Sequence, residues 1–190
     1  MRLQIFTIGL LVLALLTPCA IHAQQASAAK SAAPSAEPSA AGSQQPAQAK
    51  DTLLLTAAVN HAPVSISLVD FRALPHVTVT VHNAHADADE TYSGVPLAAL
   101  LATLDAPLGE HLRGKALASY IVASGSDGYS VVLSIAEADP SFHGGEILVV
   151  DTRDGQPLGK SGPFQLIVSE DKRPARWVHN LVSISLQHAR

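Results

Sequence analysis

Two stretches constrain the fold more than any others. ASYIVASGSDGYSVVLS (118–134) sets Asp127-Gly128 between two apolar runs, and EILVVDTRDGQPL (146–158) repeats the device with Asp154-Gly155. Asp-Gly between apolar runs is a strong hairpin signal, because both residues tolerate the positive φ that a tight turn demands. Two such turns predict a chain built largely from antiparallel strands. Between them, Ser134 and Glu137 form an S-x-x-E capping box, which predicts a short helix through Asp139.

The segments around these hairpins add shorter signals. Leu53 to Val59 is apolar and strand-like, and NHAPVSISL (60–68) turns and then extends again. Ser67 followed by Asp70 is a capping pair, so a short helix is expected over Leu68 to Leu74, stopped by Pro75. Val77, Val79 and Val81 alternate with Thr78 and Thr80, the pattern of a half-buried strand. His82 falls in phase with the threonines, on the polar face. An acidic loop is expected next, and then the turn YSGVPL (92–97) opens a helix with Pro96 in its first turn, where the missing N–H costs nothing. Leu97, Leu100, Leu101 and Leu104 form one apolar stripe. GPFQLIVSE (162–170) and NLVSISL (180–186) read as the last strands. Seven to nine strands with two or three short helices are expected, in an α+β arrangement and not a βαβ series.

This β-rich single domain occupies 51–190. Before it, Met1–Arg2, the apolar run Ile5 to Leu16 and the small residues of CAIHA (19–23) have the anatomy of an export signal cut after Ala23. The apolar run is too short to span a bilayer comfortably, so no membrane span is expected after cleavage, and the expected location is periplasmic or secreted. Cys19 raises the question of lipidation, against which Pro18 stands just before it. Residues 24–50 are mostly Ala, Ser, Pro and Gln with no large apolar side chain, and read as a disordered tether of about 30 Å. Cleavage after Ala23 removes the only cysteine, leaving no disulfide and no thiolate. The domain carries nine Lys/Arg against fifteen Asp/Glu, a formal net charge of −6. Such a balance argues against nucleic acid as a partner. It leaves a small anionic ligand or a redox partner open.

Taken together, YSGVPLAALL (92–101), SDGY (126–129), DGQPL (154–158), SGPFQLIV (161–168) and DKRPARWVHNLVSISL (171–186) resemble the oxidoreductase molybdopterin-binding domain, the fold of the sulfite oxidase family. The resemblance covers nearly all of Asp51 to Leu186. It implies an α+β fold of packed sheets with a β-grasp-like element, molybdopterin as cofactor, and oxo-transfer chemistry at molybdenum held by the pterin dithiolene and one protein cysteine. That cysteine follows a strand about a dozen residues before the G-V-P-L-like turn, a position that falls on or near His82. No cysteine exists between Ala20 and Arg190. Imidazole is a neutral and harder donor than thiolate, and does not replace it as a ligand.

The resemblance also nominates residues. It implies that the SDGY loop lines a pocket with the Tyr129 hydroxyl as donor, and that basic residues bind the pterin phosphate. Lys172, Arg173 and Arg176, with Lys160 near them, form the only basic cluster, and Arg173 and Arg176 are the expected anion ligands because a planar guanidinium fork matches phosphate oxygens. The cofactor-binding candidates are therefore His82, Tyr129, Arg173 and Arg176. Independently, His82 and His85 in H-N-A-H, helped by Asp87, Asp89 or Glu90, are a candidate Zn²⁺ or Cu²⁺ site; the alternative is a solvated acidic loop after an edge strand. His143 is a candidate for a cleft mouth, and Trp177 reads as a core or rim aromatic. The missing thiolate favours a binding or accessory module over a catalyst. The alternatives are a molybdopterin oxidoreductase with an atypical metal sphere, and a histidine-based metal-binding protein.

Overall fold

The computed structural model describes residues 51–58, 61–83 and 87–189. The expected export signal (1–23), the tether (24–50) and His85 lie outside the described residues. The local signals produce the elements expected of them. Ser67 caps α1 (Leu68–Arg72) by accepting from the Asp70 N–H at 3.1 Å. Ser134 and Glu137 close a reciprocal capping box at the start of α3 (Ile135–Ala138). The 127–128 turn joins β5 (Ser119–Gly125) to β6 (Ser130–Ser134), and Gly128 has φ +85°. The 154–155 turn joins β7 (Ile147–Arg153) to β8, which is only Gln156–Pro157.

Ten strands form among the described residues, in two five-stranded sheets. In the first, β1 (Thr52–Ala57), β2 (Val64–Ser67), β5, β6 and β10 (Leu181–His188) take the order β2-β1-β10-β5-β6. The last strand lies in the middle, parallel to β1 (Leu54↔Ser183 to Ala57↔Leu186) and antiparallel to β5. The second sheet runs β3 (Val77–Asn83), β4 (Ala88–Pro96), β7, β8, with β9 (Gln165–Val168) also paired to β7. Five consecutive residues of β7, Ile147 to Asp151, are buried. Such a run means that both faces of the strand are covered. Leu97, Leu100 and Leu101 of α2 (Leu97–Ala102) bury their stripe in the same core, and Phe71 of α1 meets Phe164 edge-on at 5.0 Å.

Two expectations are corrected: the strands number ten among the described residues and not seven to nine, and one of them runs where a loop was expected. Residues 88–96, expected as acidic loop and turn, are a nine-residue strand, β4, paired along β3 from Val77↔Gly94 to Asn83↔Ala88 and along β7 from Tyr92 to Pro96. The charges that suggested a loop find partners on neighbouring strands: Asp89 accepts from His82 at 2.9 Å, and Glu90 lies 3.4 Å from Arg153. Cross-strand pairing of this kind lets a polar stretch hold a ladder. The Val77–Val81 face also tapers, from Val77 at 37% exposure to Val81 at 7%.

Two glycines carry different constraints. An added Cβ on Gly94 would fall inside the carbonyl oxygen of Val149 and 2.5 Å from the Val150 Cα, both backbone atoms of β7. At Gly128 nothing lies within 4 Å, and only the positive φ resists a side chain. Gly128→Val is expected to cost about 1–3 kcal/mol through backbone strain. Gly94→Ala is expected to cost at least as much, about 3 kcal/mol, by forcing the β4–β7 ladder apart. Urea denaturation midpoints check the order; a Gly94→Ala protein as stable as the wild type would contradict the close approach of the two strands.

Candidate functional site

A cleft of about 440 Å³ opens where β3 ends, bounded by the segment between β9 and β10. The strand alternation that sends Val81 into the core turns His82 outward, and the cleft begins there. His82 Nδ1 lies 2.9 Å from Asp89 Oδ1, and its Nε2 lies 3.8 Å from Asp87 Oδ1. A neutral ring with its Nδ1 proton on Asp89 leaves the Nε2 lone pair available; a protonated ring is an anion donor.

Two aromatic rings form the inner wall. Tyr92, from the centre of β4, and Trp177 meet edge to face at 5.6 Å and 82°. Trp177 donates its indole N–H to the Val168 carbonyl at 3.1 Å, which fixes the ring plane. The Tyr92 hydroxyl donates to Glu90 at 2.7 Å. Burial first, and then that bond to a carboxylate, push the phenol up to about 12. Both disfavour the phenolate, so Tyr92 presents a neutral ring edge. Arg153 sits beside the pair; its pKa is raised, first by the bond with Tyr92 and then, against partial desolvation, by the charge of Glu90.

The remaining wall comes from residues 169–179, among them Lys172 and His179. This segment is pinned by Arg176, which donates to Asp171 at 2.9 and 2.6 Å and to Glu137 at 2.7 Å. Those bonds, Asp171 first, raise the guanidinium pKa. Burial works to raise the Glu137 carboxyl, but the bonds from Arg176 and Ser134 outweigh it and hold it below its ordinary value. Arg176 thus ties the cleft wall to the capping box of α3, and Asp171 enters the cleft with its charge already matched.

Of the four cofactor-binding candidates, only His82 lines the cleft. Arg176 is spent on its two carboxylates. Arg173 lines neither large recess of the domain. Tyr129 is half exposed and donates to the Ala175 carbonyl, bracing the back of the 171–179 segment. Lys160 belongs to a separate recess. The metal candidate His82 has Asp87 and Asp89 near it while His85 lies outside the described residues; among those residues no group of three or more His, Cys, Asp or Glu is arranged to hold a metal ion. His143 Nε2 lies 3.3 Å from Glu170 and does not itself line the cleft. Sequence reasoning missed Tyr92, Arg153 and His179. Tyr92 was legible as part of YSGVPL, but only the strand pairing turns it toward Trp177.

No family model matches the chain, and no curated protein matches it. Among solved structures, the chain is similar to the sulfane dehydrogenase SoxCD from Paracoccus pantotrophus, with 16% identity and a TM-score of 0.55 over 73% of this chain and 39% of that one. The likeness establishes a distantly shared, sheet-rich α+β fold, and this chain spans well under half of that protein's length.

Two outcomes follow from the geometry. In a spectrophotometric titration, one of the three tyrosines is expected to ionise near pH 12 and to be missing in Tyr92→Phe. Arg176→Met is expected to lower Tm at neutral pH. The loss should shrink as pH falls below the ordinary Glu137 value of 4.5, because a carboxylate with a depressed folded pKa stabilises above its unfolded pKa and ceases to as it protonates. Melting curves across pH check the sign; a deficit that stays constant into acid would contradict the ion-pair role.

Proposed function

We propose that this chain is a periplasmic or secreted domain of the sulfite oxidase molybdopterin-binding type that binds a small, flat anionic ligand in the His82 cleft and does not perform oxo transfer. The parallel β1–β10 pair, flanked by β2 on one side and β5–β6 on the other, supports the β-grasp-like element of that reading. The likeness to the sulfane dehydrogenase supports the same fold type.

The observation that carries the proposal is the chemistry of the cleft. Four basic or titratable nitrogen groups, on His82, Arg153, Lys172 and His179, surround the Tyr92–Trp177 wall. Of the carboxylates near it, Asp171 is matched by Arg176 and Glu90 by Arg153 and Tyr92, while Asp89 and Asp87 lie against His82 at the outer edge. An anion entering the cleft therefore meets cations and hydrogen-bond donors, and a flat ring meets indole and phenol.

The donor set does not fit a thiolate-ligated molybdenum centre. At the position the family resemblance gives to the cysteine stands an imidazole hydrogen-bonded to Asp89, and the only cysteine of the chain is Cys19. An imidazole so bound is oriented by a carboxylate, but it supplies neither the charge nor the softness of thiolate.

The test is to purify the protein from the periplasm of a host that makes molybdopterin, and to measure metals and pterin fluorescence. The expected result is no stoichiometric molybdenum. A pterin carboxylate should quench Trp177, the single tryptophan. Lys172→Met should weaken that binding about tenfold, the worth of one charge-assisted contact. Molybdenum at one per chain with turnover of a small substrate would overturn the proposal. Zinc or copper near one per chain, lost in His82→Ala, would replace it with the metal-binding reading.

A further inference from the structure

A second recess, of about 650 Å³, lies apart from the His82 cleft, between α1, the β8–β9 connection and the start of β10. Its walls include Leu68, Leu158 and Val182, and its charged groups are Asp51, Arg72, Asp151 and Lys160. Asp151 explains the arrangement. It is 3% exposed at the end of the buried run of β7, where an unpaired carboxylate would be costly. Arg72 Nε donates to its Oδ2 at 3.0 Å, and His76 Nε2 lies 3.4 Å from its Oδ1. Fixing Arg72 through Nε leaves the two Nη groups at the outer end of a planar fork. Among the described residues those Nη groups have no hydrogen-bond partner, and neither has the Lys160 ammonium. The guanidinium itself is half exposed, and it lines the recess.

We infer that this recess is a second ligand site, for a small apolar molecule bearing a single carboxylate. The charge balance sets the class. Asp151 is matched by Arg72, so its negative charge does not repel an anion seated on the outer Nη groups. Lys160 supplies the one cation beyond that pair and offsets Asp51, so the recess is formally neutral before a ligand enters. Asp51, on the recess wall, opposes a second negative charge, which disfavours phosphate dianions and dicarboxylates. The bidentate fork suits a carboxylate, and the aliphatic wall suits a hydrocarbon tail. The buried carboxylate therefore acts as an anchor that aims an arginine, which lowers the ordering cost of binding. This inference does not rest on the His82 cleft having any ligand.

The probe is octanoate, with 1-octanol and octylammonium as its neutral and cationic matches, added to the isotopically labelled purified protein. Octanoate is expected to shift the amide resonances of Ser126, Gly159 and Val182 saturably while leaving the Trp177 indole resonance and fluorescence unchanged. Lys160→Met, an exposed replacement that leaves the Arg72–Asp151 pair intact, is expected to weaken binding about tenfold. Val182→Trp, which fills the recess, should abolish it. N-acetyl-dileucine binding more tightly than octanoate would identify a peptide C-terminus as the carboxylate source and would support the site. Equal binding of octanoate and 1-octanol, no effect of Lys160→Met, or shifts centred on Trp177 would each overturn the inference.

Discussion

The placement of the last strand governs the rest of the molecule. β10 is inserted between β1 and β5, parallel to the first strand of the domain. The first sheet is therefore incomplete until the C-terminal residues are in place, so its central pairing is among the most non-local contacts the chain makes. The segment leading into β10 is held by the same insertion. Residues 171–179 are tied at one end by the strand and in the middle by Arg176, which bridges Asp171 and Glu137. The Leu166–Val178 backbone pair joins the segment to the second sheet. Both recesses take part of their walls from this end of the chain: the cleft has Lys172, Trp177 and His179, and the second recess has Asn180 and Val182.

The net negative charge of the domain hides a sorted distribution. Three carboxylates near the two recesses are matched locally: Asp171 by Arg176, Glu90 by Arg153 and the Tyr92 hydroxyl, and Asp151 by Arg72. Each match leaves nearby cations or donors facing open space, Lys172 and His179 in one place and Lys160 in the other. Elsewhere a buried carboxylate is satisfied without a cation: Asp139 accepts from the amides of Gly109 at 2.5 Å and Ser141 at 2.8 Å, and from the Ser141 side chain. Burial works to raise its pKa, and these bonds outweigh it and lower it. The contrast separates a structural carboxylate from those that arrange charge around a recess. Formal charge summed over a sequence is therefore a guide to non-specific partners and says little about what a particular hollow will accept.

The legible part of the fold was the part decided by neighbours in sequence. The Asp127-Gly128 turn, the Ser134–Glu137 box and the Ser67–Asp70 cap need only a few consecutive residues to form, and each appears where the pattern placed it. β4 was not legible, because Asp89 and Glu90 look like loop residues until His82 and Arg153 are brought alongside. The basic cluster was legible as a cluster and misleading as a site: one of its arginines is consumed holding the segment in place, and Lys160 faces a different hollow.

What the sequence by itself determined is the set of turns, caps and apolar stripes, the absence of a thiol in the domain, and the exposure of His82 on the polar face of its strand. These are matters of residue type and period, fixed within a few residues. What only the tertiary structure decided is the company each side chain keeps: His82 with Trp177 and His179, Tyr92 with Glu90, Arg72 with Asp151. Strand register and the insertion of β10 set those neighbours. Both are chosen by burial summed over two sheets, a quantity that no short window of the sequence contains.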